Sequence, residues 1–264
     1  NVLVGSVPDM SKKEDKVKNN ILKILKSFDI DEEDLFSAEI EIVPSGKARD
    51  FGLDKSMIMG YGQDDRVCAY ASLRAMMEVK NPKHTSVCLF VDKEEIGSVG
   101  ATGMSSKFFE NSIAEVMNLC GQYNELDMRR ALNKSRMLSS DVTAAYDPNY
   151  PTPMNEATEA HFGRGISFNK YTGSKGKSGA NDANPEFIAK LRDVLDKYDV
   201  NYQATEMGKV DAGGGGTIAY IMAGYGMEVI DAGVPVLSMH APWEITSKVD
   251  IFESYMCYKA FYEM

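Results

Sequence analysis

The chain has 264 residues, 44% of them hydrophobic, with 29 Lys+Arg against 39 Asp+Glu and a formal net charge of −10. That size supports one large core or one and a half ordinary ones. An acidic chain with pI near 4.9 and no Lys/Arg block longer than a dipeptide repels phosphate backbones, which argues against nucleic acid as a partner. No apolar run approaches the ~20 residues a membrane span needs, and the first ten residues lack the basic start and apolar stretch of a signal peptide. Cys68, Cys88, Cys120 and Cys257 are widely spaced among apolar neighbours, with no CxxC pair. They read as buried free thiols of a reducing cytoplasm rather than a zinc knuckle or a disulfide framework.

In chain order, the apolar stretch Val2 to Val7 reads as a strand that pairs with something upstream. Because the chain opens on Asn1 and runs straight into that stretch, it reads as the interior of a longer protein. Ser11 with Glu14 three residues on has capping-box spacing, ahead of an apolar stripe from Val17 to Phe28. Asp31 to Leu35 reads as a short acidic helix or turn. Ala38 to Val43 alternates with period two and predicts a half-buried strand stopped by Pro44. Residues 45–55 are polar and glycine-containing, a loop and a candidate domain junction.

From Met57 onward strand and helix patterns alternate. Asp64 to Val79 reads as a helix burying Val67, Cys68, Tyr70, Ala71, Leu73, Ala75 and Met76. The run Ser86 to Val91 reads as a central strand covered on both faces. Helical spacing recurs at 105–120, 184–198 and 249–263, and short apolar strands at 227–230 and 234–239. The alternation argues for an α/β sandwich on a mixed, mostly parallel sheet.

Acidic residues and a histidine stand at the ends of these strand-like runs. Asp92-Lys93-Glu94-Glu95 follows 86–91, Asp64 follows 57–62, Asp141 follows 137–140, and His240 follows 236–239. Open α/β sheets place their chemistry at carboxyl strand ends. Carboxylates with imidazole form the ligand set of zinc, manganese or cobalt hydrolases, and a shared carboxylate lets two metals sit side by side. Adjacent glutamates can divide the work, one on metal and one as general base. Each residue also has an ordinary reading: Asp64 as an N-cap, Asp141 as a turn former, His240 as a satisfied core histidine, Glu94-Glu95 as a solvated acidic turn. His84 reads as exposed in a turn, and His161 lies in a polar segment within reach of a substrate. The Gly213–Gly216 run before Thr217 offers backbone N–H groups to an oxyanion or lets chains pack tightly, with neither reading favoured.

Five motifs, in order, carry a resemblance over essentially the whole chain. Gly62-Gln63-Asp64-Asp65-Arg66, Asp92 to Ser98 (DKEEIGS), Ser140-Asp141, Asp147-Pro148-Asn149-Tyr150 and Ser238-Met239-His240-Ala241-Pro242 together resemble the aspartyl aminopeptidase family of dinuclear metallo-aminopeptidases, in its bacterial members. The resemblance implies a zinc-exopeptidase-like three-layer sandwich. It casts Asp64 as the carboxylate bridging two divalent metal ions and Glu94 as the general base acting on the bridging water. Glu95 and His240 hold one metal and Asp141 the other. The ions are zinc by family habit, with cobalt or manganese able to substitute. Peptide substrates, a cytoplasmic location and a homo-oligomer, a dodecamer built from dimers, follow from the same likeness.

The family also carries a further metal-binding histidine in an early motif, and a dimerisation domain inserted between that histidine and the bridging aspartate. Only His84 precedes Glu94 here, and it follows Asp64. The sixth ligand is therefore expected upstream of Asn1, leaving the Asp141 side open. Residues 1–55 are expected to be the tail of the inserted, β-rich dimerisation domain and its connection, and 56–264 the catalytic domain without its first portion. Ala144 and Asp147 stand where animal members that prefer acidic residues carry histidines, so Asp147 disfavours an acidic substrate side chain and Lys209 offsets it. Lys209, Gly214 and Gly215 are the expected substrate-binding residues. The competing readings are a non-catalytic assembly subunit and a related two-metal hydrolase of another amide.

Overall fold

A computed structural model describes residues 2–209 and 211–264. The chain divides into two compact units, Asn1–Val43 and Pro44–Met264.

The first unit contains α1 (Lys16–Lys26) and a 3₁₀ turn at Glu33–Phe36. The expected capping box is not formed: Ser11 donates through both its amide and its hydroxyl to Asp9 Oδ1, at 2.9 and 2.6 Å. The helix begins after Asp15, which is left-handed and makes no side-chain cap. Val2–Val7 and Ala38–Val43, both expected as strands, adopt no strand conformation. Val2, Leu3, Ile40 and Ile42 stand exposed. Alternation alone does not make a strand. A ladder needs a neighbour to take its hydrogen bonds, and no described segment offers one.

The second unit is α/β with two mixed sheets. One has the order β1-β2-β9-β8-β4, from Arg49–Phe51, Met57–Gly60, Glu244–Ser247, Pro235–Leu237 and Thr143–Ala144. The other has the order β3-β7-β5-β6, from Arg136–Ser139, Glu228–Gly233, Ile166–Asn169 and Tyr202–Thr205. The pairs β3–β7, β4–β8 and β5–β6 are parallel; β1–β2, β2–β9, β5–β7 and β8–β9 are antiparallel. The sheets are mixed as expected, but three parallel pairs stand against four antiparallel ones, so the expected parallel majority is not found. The short links between β1 and β2 and between β8 and β9 favour antiparallel neighbours, because a parallel return needs a long crossover.

Strand β7 is buried along nearly its whole length and serves both faces of its sheet. Ile230 and Ala232 join a cluster with Phe187, Leu191 and Leu195 of α5 (Pro185–Lys197) and Cys257 and Tyr258 of α7 (Lys248–Tyr262). Val229, one residue out of phase, joins Phe109 of α3 (Phe108–Leu119), Met128 and Leu132 of α4 (Glu125–Asn133), and Met222 of α6 (Ala219–Ala223). Period-two side chains on a strand and i, i+4, i+8 spacing on α5 produce this division. Each fully buried leucine or phenylalanine contributes about 1.5–3 kcal/mol of transfer free energy.

Three expectations fail here. The run Ser86–Val91 forms no strand, although Leu89 and Val91 pack against the second cluster. Its apolar content reflects packing, and no described strand bonds to its backbone. On α2 (Gln63–Glu78), Val67, Cys68, Ala71 and Ala75 are buried, whereas Tyr70 and Leu73 are exposed. They fall outside the narrow stripe that meets α7. The cysteines are free, but only Cys68 and Cys257 are buried, and Cys120 is exposed.

Candidate active site

Four chain segments converge at one end of the second unit. Strand β2 delivers Asp64 after a turn through left-handed Gly62. Asp64 is not the N-cap: Gly62 holds that position, and Asp64 and Asp65 keep non-helical backbone angles on either side of a cis peptide bond. Strand β3 runs through Ser140 to Asp141. Glycine is required at the neighbouring strand end, because a Cβ on Gly233 would lie 1.6 Å from the Asp141 carbonyl oxygen. Strand β8 leads into a turn in which Ser238 and His240 are left-handed, with φ of 59° and 65°, and the Ala241 amide donates to Ser238 O at 2.9 Å. Glu94 and Glu95 open a 3₁₀ turn, Glu94–Ile96, flanked by left-handed Lys93 and Gly97.

His240 Nε2 lies 3.0 Å from Asp64 Oδ2 and 3.2 Å from Glu95 Oε1. Ligand atoms of Asp64, Glu95 and His240 all fall within 4.8 Å of one another, and so do those of Asp64, Asp65 and Asp141. Asp64 belongs to both groups. The second contains no histidine among the described residues.

The electrostatics follow from crowding. Burial, then the Glu95 charge, raises the Asp64 carboxyl to about 6, against the opposing pull of His240. Burial, reinforced by Asp65, Asp64 and Glu94, drives Asp141 well above the carboxylate range. Asp65 is raised chiefly by burial, and its Oδ1 is buried without a hydrogen-bond partner. Glu94 is raised by burial and by Glu95. Converging carboxylates of this kind are costly unless neutralised. A divalent cation answers that cost, and carboxylate oxygens with one imidazole nitrogen are a donor set that zinc, cobalt and manganese accept. The residues fit such ions.

Asp65 and Glu244 were not anticipated from the sequence. Asp65 has the weaker signal, since adjacent acids at a helix start are common. Glu244 has only a faint one, a lone acid opening the short strand Glu244–Ser247 directly after the histidine turn. It is 2% exposed and accepts from the Asp64 amide at 3.1 Å and from the His240 amide at 2.9 Å.

Lys209, Gly214 and Gly215 make their contacts in a second loop cluster. Lys209 Nζ donates to Thr152 O at 2.9 Å and its amide to Pro153 O at 2.9 Å. Gly173 N–H donates to Gly215 O at 2.7 Å, and a Cβ on Gly214 would lie 2.6 Å from Gly173 O. Here the glycine run lets two loops pack closely. His84 is exposed, and His161 packs on Tyr146 at 5.7 Å between ring centroids.

Residues 3–262 match the family described as aminopeptidase I zinc metalloprotease (M18). A probable M18 family aminopeptidase 1 of Clostridium acetobutylicum is 64% identical over 99% of this chain and 57% of its own length. A crystal structure of the M18-family aminopeptidase of Thermotoga maritima superimposes with a TM-score of 0.93 at 42% identity, over 98% of this chain and 58% of that one. A dodecameric Saccharomyces cerevisiae mApe1 structure, 21% identical over 84% of this chain and 49% of that one, shares the fold with a TM-score of 0.65. The chain therefore spans a little over half the length of these two bacterial relatives, of Clostridium acetobutylicum and Thermotoga maritima. The chain belongs to the M18 family of zinc metalloproteases.

Proposed function

We propose that this chain carries most of the centre of a metal-dependent aminopeptidase that removes the N-terminal residue of peptides. The observation that carries the reading is the shared position of Asp64, whose carboxylate lies in both ligand groups. Asp64, Glu95, Asp141 and His240 would hold two ions, zinc in keeping with the family description. When bound, such ions act as Lewis acids that polarise the scissile carbonyl and lower the proton affinity of water.

Glu94 does the proton work. It precedes Glu95 in the same turn, and its raised proton affinity suits a group that takes a proton from the attacking water and passes it to the departing amine. Lys209, Gly214 and Gly215 are proposed on the substrate side, on a loop tied to residues 152–153 just beyond Asp147. Residues 1–55 are proposed as the end of a dimerisation domain and 56–264 as the catalytic part. Assembly is proposed as a homo-oligomer, a dodecamer, in the cytoplasm.

The test uses the full-length protein with a panel of amino-acid p-nitroanilides and their N-acetylated counterparts. Release is expected only from unblocked substrates, lost on chelation and restored by zinc, cobalt or manganese. No release from any unblocked substrate by the metal-loaded protein would sink the reading and favour an assembly subunit.

A further inference from the structure

Glu244 opens β9 opposite Gly60 of β2 in the antiparallel register, between the two strand ends that carry Asp64 and His240. Its side chain is almost wholly buried, and each oxygen is used once. Oε2 accepts from the Asp64 amide at 3.1 Å and Oε1 from the His240 amide at 2.9 Å. A buried carboxylate is costly to place, so two charge-assisted bonds to main-chain donors account for its presence here. Each oxygen spends one lone pair on a main-chain N–H donor, and Glu244 falls in neither group of candidate ligands. The surrounding contacts lock it in place. Gln63 Nε2 donates to Glu244 O at 2.6 Å and to Ile58 O at 3.2 Å, and Gln63 Oε1 accepts from the Thr246 hydroxyl. The His240 amide is aimed at the carboxylate from a left-handed residue, φ 65°, a conformation that needs outside support.

We propose that Glu244 is a positioning residue of the metal centre: its single carboxylate ties the backbones of Asp64 and His240 together and so sets the spacing of their side chains for a divalent cation. The inference rests on the reading of these residues as metal ligands. It assigns Glu244 a role toward the ion that a merely fold-holding contact would not have, because outer-sphere hydrogen bonds that orient ligands typically govern affinity by about 10–100-fold.

The experiment titrates cobalt(II) alone into the metal-free full-length protein and follows the visible absorption bands of the bound ion. Three variants are compared with the wild type: Glu244→Gln, Glu244→Asp and Glu95→Gln. Gln retains the shape but presents an NH₂ to one of the two N–H donors, so its cobalt affinity should fall about 10–100-fold with a changed band shape. Asp keeps the charge and the fold but shortens the reach, and should show the same direction of change. Should the Gln variant fail to fold by circular dichroism, the Asp variant decides. Wild-type affinity and spectrum in whichever variant folds, with only the melting temperature lowered, would overturn the positioning role. If Glu95→Gln weakens cobalt binding while both Glu244 variants leave it unchanged, the metal centre stands and the inference alone falls. If the wild type binds no cobalt, the metal-centre reading fails and takes the positioning role with it.

Discussion

The carbonyl of Asp141 occupies the space that a side chain at Gly233 would need, with an added Cβ only 1.6 Å from its oxygen. The two residues lie just beyond paired β3 and at the end of β7, so the glycine lets a metal-ligand candidate reach its place. Gly233→Ala must push that backbone away. A loss of stability of about 1–3 kcal/mol or more is expected from overpacking, together with lower zinc content at saturating metal. Thermal unfolding and metal analysis of the purified variant check both.

Proton competition should govern metal affinity near pH 6. The Asp64 carboxyl is raised to about 6 by burial and by Glu95, so it gains a proton as the pH falls through that value, and a proton on Asp64 displaces a ligand. Zinc affinity is expected to hold above pH 7 and to drop by roughly tenfold per unit below about pH 6. Zinc titrations by calorimetry at pH 7.5, 6 and 5 measure the slope; a flat profile would contradict the assignment of Asp64.

Asp231 carries a separate pH signature, in stability. Burial raises its carboxyl from 3.8 to about 6 against the hydrogen bond that the Thr217 hydroxyl donates to Oδ1, and its Oδ2 has no partner. A raised carboxyl favours the folded state only while protonated. That contribution is full below 3.8 and is lost as pH climbs through about 6. Up to about 2–3 kcal/mol is involved. Asp231→Asn keeps an acceptor for the Thr217 hydroxyl, so the metal-free variant should lose less stability than the wild type between pH 4 and 7. Urea unfolding at the two pH values reads the difference.

Gly214 tests the glycine run. It has φ of 90°, and a Cβ would lie 2.6 Å from Gly173 O, so Gly214→Ala combines backbone strain with a main-chain clash. The expected outcome is local loosening of residues 171–179, 207–209 and 211–216. Faster amide exchange confined to those segments would register it. Unchanged exchange there would show that the glycine is not needed for packing.

Much of the candidate site is legible in the sequence because strand ends leave a pattern. Asp64, Glu94-Glu95, Asp141 and His240 each follow an apolar run, and three of those runs are strands in the structure. The fourth, Ser86–Val91, positions its glutamates without being a strand. Apolar content reports burial, whereas strand formation also depends on a neighbouring backbone, which local sequence does not reveal. The same reason removed the strands expected at 2–7 and 38–43. Tyr70 and Leu73 were misplaced because composition marks a helix as apolar without showing how wide a face its partner covers. The role proposed for Glu244 works through two main-chain amides, those of Asp64 and His240, and residue types give such contacts little signal.

Glu94 is proposed to move the proton at a metal centre it does not itself hold. Glu94→Gln in the full-length protein separates these two properties, with zinc content and p-nitroanilide hydrolysis measured on the same sample. Wild-type zinc content is expected, with hydrolysis reduced on the order of 10²–10⁴-fold. Wild-type hydrolysis by a fully metallated Glu94→Gln protein would rule Glu94 out as the general base.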